Sequence, residues 1–157
     1  MRTGFGFDAH QLVENDPFTL GGVVISHHRG AEGHSDADTL IHAICDALLG
    51  AANLGDIGLH FPDTDQTLKG IDSKILLKKT VQMIAQKGYK IVNIDSTICL
   101  QLPKLRPYIP QMQEALSSVM SIPVEDISIK ATTTEKLGFI GREEGVSAYA
   151  VVLIEKV

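Results

Sequence analysis

The chain has 157 residues, of which 44% are hydrophobic and 21% are charged, and its formal net charge is −5. A chain of this size can bury a substantial core, and this composition is typical of a folded globular domain and not of intrinsic disorder. The acidic balance supplies no basic field for a nucleic-acid backbone or an anionic membrane, so we expect neither partner. We expect one domain over residues 1–157.

The first ten residues, MRTGFGFDAH, contain no apolar stretch of the kind found in secretory signals, and no apolar run is long enough to span a bilayer. We therefore expect a cytoplasmic location in a bacterium, or the stroma of a plastid if a transit peptide has been removed. The two cysteines, Cys45 and Cys99, lie in apolar segments and form no CxxC pair. We expect both to be reduced residues of the core.

Strand-like patterns occupy the beginning of the chain. Alternation predicts strands over residues 1–10 and 18–25, the second one bent at Gly21 and Gly22. The polar segment 26–33, SHHRGAEG, predicts a loop after the second strand.

A strong amphipathic pattern within residues 34–56 then predicts a helix. Ser35, followed three residues later by Asp38, resembles a capping box that would begin this helix near residue 36. The stretch 56–73, DIGLHFPDTDQTLKGIDS, is polar and has no periodicity. Loops of this length are usually functional or disordered, and we expect a functional one.

The second half of the chain alternates between helices and strands. The predicted elements are a helix 73–88 capped by Asp72 or Ser73, a strand 89–101, a helix beginning near Pro107 or Pro110, a strand 125–134 and a strand 145–157. The last strand is apolar on both faces, which favours helices on one side and another subunit on the other. The fold class predicted is α+β, an α/β sandwich. It has a mixed sheet of about four main strands, a short hairpin, and helices packed on one face.

Two polar patterns point to a metal site. Residues two apart in a strand share a face, so Asp8 and His10 can meet one ion, and Asp38, His42 and Asp46 form one polar stripe on the helix. One carboxylate and two imidazoles suit zinc, and three protein ligands leave a fourth position open, as in catalytic zinc sites. Asp38 or Asp46 is expected to accept the other ring N–H of His42. Each pattern alone is more often a solvated strand end or helix face, and only their convergence in the fold would make them a metal site.

Phosphate-binding groups follow the predicted strand 125–134. Thr132, Thr133 and Thr134 stand at its end, and Glu135 comes next. Hydroxyls, free backbone N–H groups and a carboxylate suit a phosphate together with a hard divalent cation such as magnesium. Threonine is also simply a common strand residue.

Other polar residues lie near the start of the first helix and in the long loop. His34 precedes the predicted helix, whose free N–H groups favour an anion, although loop histidines are more often plain surface residues. Asp56, Asp63 and Asp65 lie in the long loop, where they are solvated or accept hydrogen bonds from the hydroxyls of a polar substrate.

Four segments, spread in order over nearly the whole chain, carry a family resemblance: GFGFDAH, HSDADTLIHAICDALLGAANLGDIGLHFPDTD, PKLRPYIPQM and KATTTEKLGFIGREEG. They resemble the 2-C-methyl-D-erythritol 2,4-cyclodiphosphate synthases of the non-mevalonate isoprenoid pathway. The resemblance implies a conversion of 4-diphosphocytidyl-2-C-methyl-D-erythritol 2-phosphate into the 2,4-cyclodiphosphate and CMP. In this reaction the 2-phosphate attacks the β-phosphate of the same molecule.

The resemblance also implies roles for individual residues. Asp8, His10 and His42 are expected to be ligands of one Zn²⁺ per subunit, and Glu135 to hold Mg²⁺ or Mn²⁺ at a second site that bridges substrate phosphates. His34 and Thr133 match positions that stabilise the transition state. The positions that match substrate-binding residues are Ser35, Asp56, Ile57, Gly58, Phe61, Pro62, Asp63, Thr64, Asp65, Leu100, Gln101, Leu102, Pro103, Lys104, Leu105, Arg106, Thr132, Thr134, Phe139 and Arg142.

A homotrimer around a threefold axis, with active sites between neighbouring subunits, is also implied by the resemblance. A cavity on that axis would bind an isoprenoid diphosphate through Phe139 and Arg142, unless Arg142 pairs with Glu143 or Glu144. Two alternatives to the cyclase remain at this point. One is a metal-dependent phosphodiesterase, which would use the ions to activate water, and the other is a non-catalytic trimer that binds isoprenoid diphosphates.

Overall fold

A computed structural model describes all residues, 1–157. Its helices and strands, in chain order, are β1 (Arg2–Glu14), β2 (Thr19–Leu20), β3 (Val23–Val24), β4 (Arg29–Ala31), α1 (Thr39–Ala51), α2 (Ile57–His60), α3 (Ser73–Gln86), β5 (Tyr89–Cys99), α4 (Ile109–Met120), β6 (Ile127–Thr132), α5 (Gly138–Gly141) and β7 (Gly145–Lys156). None of the helices combines the length and the apolar character that a membrane crossing requires.

The strands form one mixed sheet and one separate hairpin. The five-stranded sheet has the order β4-β1-β7-β5-β6, and β2 pairs with β3 alone. Only β5 and β6 run parallel, while the other neighbours are antiparallel. Four long strands, a short hairpin and a mixed sheet are what the sequence predicted, and β4 is an addition to that prediction.

The helices cover one face of the sheet and bury its core side. Helix α1 packs on β1 and β7, α3 packs on α1, and α4 packs on α3 and β6. Side chains alternate across a strand, and Val146, Ala148, Ala150 and Val152 of β7 are fully buried under the helices. The prediction that the helices lie on one face is confirmed.

The opposite face of the sheet is apolar and open to solvent in the single chain. Phe5, Phe7, Tyr149 and Val151 are 64%, 46%, 40% and 47% exposed. The rings of Phe7 and Tyr149 lie 5.1 Å apart. Contiguous exposed apolar patches of this kind usually mark a protein interface. The prediction of a last strand that is apolar on both faces is therefore confirmed.

Two glycines of β1 set the distance between the sheet and α1. A Cβ on Gly4 would lie 1.9 Å from the carbonyl oxygen of Ala47, and a Cβ on Gly6 would lie 1.9 Å from that of Ala43. Any side chain at these positions would push the helix away. This close approach brings His42, the neighbour of Ala43, over Asp8 and His10 in the middle of β1.

The first strands differ in extent from the prediction. The first strand runs on to Glu14, and residues 18–25 form two short strands joined by Gly21 and Gly22, whose φ angles are positive. The predicted loop 26–33 contains β4, which pairs with the extension of β1. This pairing joins residues far apart along the chain, so local patterns do not reveal it.

The predicted start of the first helix is wrong. The helix begins at Thr39, and its N-cap is Asp38, whose side chain accepts a hydrogen bond from the backbone N–H of Ile41. Ala37 has a φ of 55°, a left-handed conformation that an α-helix cannot contain. Ser35 is therefore not the cap, and residues 34–37 form a turn before the helix.

The later elements agree closely with the sequence. Asp72 is the N-cap of α3, and Gly88 follows the end of that helix with a φ of 78°. The helix predicted near Pro107 or Pro110 begins at Ile109. Both cysteines are free thiols, and Cys45 is buried.

Candidate metal centre and active site

Three predicted ligands come together where β1 meets α1. The Asp8 Oδ2 lies 2.8 Å from His10 Nε2 and 3.1 Å from His42 Nδ1. The two ring nitrogens are 3.3 Å apart. Ligands bound tetrahedrally to zinc at about 2.0–2.1 Å are separated from one another by about 3.3 Å. The donor set and its spacing therefore fit a zinc ion held by three protein ligands.

The three ligands lie at the bottom of a cavity of about 470 Å³. Their side chains are half-buried, with 12% of His42, 17% of His10 and 26% of Asp8 exposed. No other group of three or more histidine, cysteine, aspartate or glutamate side chains in the chain is arranged to hold an ion. A zinc ion held by these three ligands would leave one coordination position for a molecule in the cavity, as a catalytic metal site requires.

A backbone carbonyl fixes the orientation of His10. The His10 Nδ1 lies 2.8 Å from the carbonyl oxygen of Glu32. A carbonyl oxygen only accepts, so Nδ1 carries a proton, and Nε2, which faces Asp8 and His42, is the nitrogen left for a metal ion. Outer hydrogen bonds of this type orient metal-bound histidines in many proteins.

The outer partners of His42 are not the predicted ones. Its Nε2 lies 2.9 Å from Ser73 Oγ and 3.1 Å from Ser35 Oγ. Ser73 Oγ in turn donates to Asp36 Oδ1. The expectation that Asp38 or Asp46 accepts from His42 is wrong, because both carboxylates accept from backbone N–H groups elsewhere.

Asp38 is fully buried and joins the β2–β3 turn to the start of α1. It accepts hydrogen bonds from the backbone N–H groups of Gly21 at 2.9 Å, Gly22 at 2.7 Å and Ile41 at 3.0 Å. Burial raises the pKa of Asp38 to about 6, although these backbone hydrogen bonds oppose the shift. Asp46 accepts from the backbone N–H of Ile57 at 2.7 Å, which ties α1 to the start of α2.

The metal-free ligands form an ion pair. Burial of Asp8 acts to raise its pKa, but hydrogen bonds from His10 and His42 outweigh burial, and the pKa of Asp8 lies below its ordinary value. Burial of His10 acts to lower its pKa, but the Asp8 carboxylate outweighs burial, and the pKa of His10 is raised. A bound divalent cation would replace the protons that this pair shares.

The cavity over the ligands is lined largely by predicted residues, namely His34, Ser35, Ile57, Gly58, Phe61, Pro62 and Asp63. Leu68, Ile71 and Leu76 line it as well, and the sequence analysis missed them. Leu68 and Ile71 are the only aliphatic residues in the polar stretch 66–72. Two aliphatic residues within a polar segment indicate burial, so the sequence contained a signal for these two lining residues.

The long loop is tied to the segment before α1. His34 Nε2 lies 2.9 Å from the carbonyl oxygen of Asp65, and the backbone N–H of Gly70 donates to the His34 carbonyl at 2.7 Å. The carboxylates of Asp56 and Asp65 cap short helical turns in this structure. Thr64 lies exposed in the same loop, outside the cavity lining.

A second, smaller cavity of about 270 Å³ lies at the end of β6. Its lining contains the predicted residues Leu100, Pro103, Lys104, Leu105, Arg106, Thr132 and Thr133, together with Ala131. Gln101 and Leu102 lie in the same turn, and the Gln101 side chain accepts from the backbone N–H of Lys136 at 3.3 Å. The structure thus gathers most of the predicted substrate-binding positions within residues 100–106 and 132–134 into one place.

Glu135 lies near this second cavity and not near the metal ligands. Its carboxylate is exposed, and its backbone N–H donates to Thr133 Oγ1 at 3.3 Å. Thr134 donates from Oγ1 to the carbonyl oxygen of Leu137 at 2.6 Å. Strands β1 and β6 are separated by β7 and β5, a distance of about 14 Å between strand axes. One chain therefore carries two separate halves of the predicted site.

The residues predicted to bind a ligand on the threefold axis make other contacts within the chain. Arg142 pairs with Glu144, with Nε to Oε1 at 2.7 Å and Nη2 to Oε2 at 3.2 Å. This is the internal pair that the sequence left as the alternative to a bound diphosphate. Phe139 is 45% exposed and lies beside Gly145, the first residue of β7.

Comparisons with known proteins agree with this geometry. A model of the YgbB family matches residues 1–155. The chain belongs to the YgbB family. The 2-C-methyl-D-erythritol 2,4-cyclodiphosphate synthase of Bacteroides thetaiotaomicron is 67% identical over 99% of this chain and 98% of its own length.

Solved structures carry the same fold. The bifunctional IspDF of Campylobacter jejuni superposes with a TM-score of 0.96 and 43% identity, over 99% of this chain and 42% of that longer chain. The CDP complex of IspF from Plasmodium falciparum gives a TM-score of 0.86 and 34% identity, over 99% of this chain and 96% of that chain.

Proposed function

We propose that this YgbB-family chain is a 2-C-methyl-D-erythritol 2,4-cyclodiphosphate synthase, which forms the cyclic diphosphate and CMP from 4-diphosphocytidyl-2-C-methyl-D-erythritol 2-phosphate. The observation that carries the proposal is the Asp8, His10 and His42 ligand set, facing a cavity that His34 and the long loop enclose. The 67% identity to a protein of this name supports it.

The metal ions are assigned from the chemistry of the residues. Zn²⁺ fits Asp8, His10 and His42, whereas Mg²⁺ or Mn²⁺ fits Glu135, because a hard cation prefers carboxylate and phosphate oxygens. When bound, such cations act as Lewis acids that reduce the negative charge on phosphate oxygens and hold them in place. The contribution of the protein is to fix the ligands before the substrate arrives.

The nucleophile of this reaction is already an anion, so the chain needs no strong base. Its task is to bring two phosphates of one molecule together and to exclude water. His34 and Ser35 lie beside the metal ligands in the cavity wall. The Ser35 hydroxyl can donate to a phosphate oxygen there, and His34 can do so through Nδ1 as the imidazolium, because its Nε2 already donates to the Asp65 carbonyl. Thr133 is positioned to do the same from the second cavity.

The second cavity is assigned to the nucleotide. Its basic residues, Lys104 and Arg106, and the hydroxyls of Thr132 and Thr133 suit a phosphate. The CDP complex of the Plasmodium falciparum relative supports a nucleotide ligand for this fold. We assign the methylerythritol part to the first cavity, whose floor contains Leu76 and whose rim contains Asp63.

The two halves of the site are joined, we propose, by neighbouring subunits of a homotrimer. One chain separates its metal ligands from Thr133 and Glu135 by three strand spacings, so a second chain must supply the missing half. The open apolar face with Phe5, Phe7 and Tyr149 is a surface that such an assembly would bury. Residues 1–157 would then act as one synthase domain within each subunit.

The product distinguishes this proposal from a metal-dependent phosphodiesterase. We expect mass spectrometry after incubation with the substrate to find CMP and a cyclic diphosphate, in equal amounts. Chelation should abolish turnover, and zinc together with magnesium should restore it. A linear 2,4-bisphosphate, heavier than the cyclic product by the mass of one water, would contradict the cyclase and identify a hydrolase.

A further inference from the structure

We propose that Asp36 and Ser73 are positioning residues that hold His42 in the tautomer able to bind a metal ion through Nδ1. This inference rests on the metal site of the proposed function. Neither residue was expected at the site, and both act on the metal only through His42.

Hydrogen bonds link Asp36 to Ser73 and Ser73 to His42. Ser73 is the first residue of α3 and is fully buried. Its Oγ lies 2.9 Å from His42 Nε2 and also contacts Asp36 Oδ1. The backbone N–H of Ser73 donates to Asp36 Oδ2 at 3.0 Å. Asp36 therefore holds both the hydroxyl and the backbone of Ser73.

The chemistry of the three groups sets the direction of these hydrogen bonds. An ionised carboxylate only accepts hydrogen bonds, so the Ser73 hydroxyl proton must point to Asp36. The Ser73 oxygen is then left to accept, and His42 Nε2 must carry the proton that it accepts. A histidine that binds a metal ion is neutral and has one N–H, so in the loaded chain Nδ1 keeps its lone pair for the metal. Nδ1 is the atom that faces Asp8 and His10.

Ser35 does not replace Ser73 in this role. Its Oγ lies 3.1 Å from His42 Nε2, but its other contacts are the backbone N–H of Ala37 at 3.2 Å and Ser73 Oγ at 3.5 Å. No carboxylate accepts from the Ser35 hydroxyl, so nothing fixes the direction of its proton. The orientation of His42 is thus set from the start of α3, 31 residues away along the chain.

The metal affinity of the purified chain tests the proposal without turnover. Zinc affinity is measured by competition with a chelator for the native chain, Ser73→Ala and Asp36→Asn. We expect both variants to bind zinc about 10- to 100-fold more weakly, the range found when outer partners of metal-bound histidines are removed. Asp36→Asn keeps the size of the side chain but replaces one acceptor oxygen with a donor. Its amide either loses the bond from the Ser73 backbone N–H, or donates to Ser73 Oγ and frees the hydroxyl proton to turn towards His42 Nε2.

Ser96→Ala is the matched control. Ser96 is also a buried serine, and its Oγ donates to a backbone carbonyl, that of Ser128, at 2.9 Å. It lies on β5, away from the metal ligands, so we expect its zinc affinity to equal that of the native chain. If Ser96→Ala weakens zinc binding as much as Ser73→Ala, the effect is a general loss of stability and the proposal is overturned.

A spectroscopic measurement tests the tautomer itself. In the zinc-loaded native chain, the His42 Nε2–H should give an NMR signal that is protected from exchange with water. The protection should disappear in Ser73→Ala and persist in Ser96→Ala. A native His42 that carries its proton on Nδ1, or an unprotected Nε2–H, would overturn the proposal even if the affinities change.

Asp8→Ala separates this inference from the proposed function. If Asp8→Ala loses zinc while Ser73→Ala and Asp36→Asn stay within about twofold of the native affinity, the metal site stands and the positioning role is wrong. If Asp8→Ala keeps its zinc, the metal site itself is wrong, and the proposed function fails with it.

Discussion

The two halves of the candidate site differ in how completely one chain builds them. The metal half is assembled within the chain, where Asp8, His10 and His42 are half-buried and lie 2.8–3.3 Å from one another. The other half lies at the end of β6, and we call it the nucleotide half after our proposed assignment. It is open, with Glu135 exposed and Thr134 bonded only to its own turn. Preorganised ligands bind a metal without a further ordering cost. In our proposal, the open half gains its partners from substrate, a cation and a neighbouring chain.

The cause of this difference is how closely a helix packs on each of the two strands. The metal half lies on β1, directly under α1, where Gly4 and Gly6 allow the helix to approach closely. The nucleotide half lies on β6, the last strand of the sheet, where only α4 packs on it. Both places are edges of the sheet, since Asp8 and His10 pair with β7 alone. The close approach of α1 packs the metal half, whereas the end of β6 stays accessible. Each prediction below disturbs one half and leaves the other intact.

The largest effect is expected when a metal ligand is removed. Asp8→Ala should lose the bound zinc and lower kcat by about 10³-fold or more, because a Lewis-acid cation supplies several kcal/mol of charge stabilisation. Metal content is measured by elemental analysis and turnover by CMP release. The secondary structure and the assembly should be unchanged. Native turnover in a metal-free Asp8→Ala variant would contradict the role of this half.

Glu135→Gln tests the other half. The amide keeps the size of the side chain but removes the charge that would hold Mg²⁺ or Mn²⁺, and we expect kcat to fall by about 10²-fold. Zinc content should equal that of the native chain, because Glu135 is remote from the metal ligands. Loss of zinc in this variant would show that the two halves are not independent.

Gly6→Ala tests the packing that positions the metal half. The added Cβ would lie 1.9 Å from the carbonyl oxygen of Ala43, and the resulting displacement of α1 should lower the free energy of unfolding by about 3 kcal/mol. Gly50→Ala is the control, since nothing lies within 4 Å of its Cβ. Alanine in place of this helical glycine should raise stability by about 0.5–1 kcal/mol. Urea unfolding measures the free energy of unfolding of both variants. Equal effects of the two substitutions would show that the contact between Gly6 and α1 does not limit the packing.

A smaller effect concerns Asp38 and pH. Its pKa is raised by burial to about 6 from an ordinary value of 3.8. The folded chain therefore holds the proton more tightly than the unfolded chain. The contribution of Asp38 to stability is then full below pH 3.8 and is lost as pH rises through about 6. We therefore compare the free energy of unfolding of the native chain with that of Asp38→Asn, both without metal. The difference, native minus variant, should decrease as pH rises from 3.8 to about 6. A difference that increases with pH would contradict the sign.

Local patterns in the sequence predicted most of the fold. Alternation along β1 correctly placed Asp8 and His10 on one face, and the polar stripe of α1 correctly included His42. The Asp72 cap and Gly88 correctly bounded α3. These features are local, because strand alternation, helix periodicity and capping each depend on neighbouring residues.

The features that sequence reasoning missed depend on contacts between distant residues. Ser73 lies 31 residues from His42, and β4 pairs with a strand that precedes it by 15 residues or more. Asp38 belongs to the polar stripe that the sequence predicted on the helix. Its side chain is instead buried and bonded to the β2–β3 turn, so it is not a partner of His42. No local pattern encodes such contacts, and the choice between Asp38, Asp46 and Ser73 as partner of His42 required the fold.

The central claim is that a working site combines the metal half of one chain with the nucleotide half of its neighbour. Mixed trimers test it directly. Asp8→Ala and Glu135→Gln chains, each inactive alone, are unfolded, mixed in equal amounts and refolded together. If sites lie between subunits, random assembly should restore about a quarter of the native activity, because that share of sites joins two intact halves. Absence of any recovery, with mixed trimers demonstrated by mass spectrometry, would contradict the claim and place the whole site within one chain.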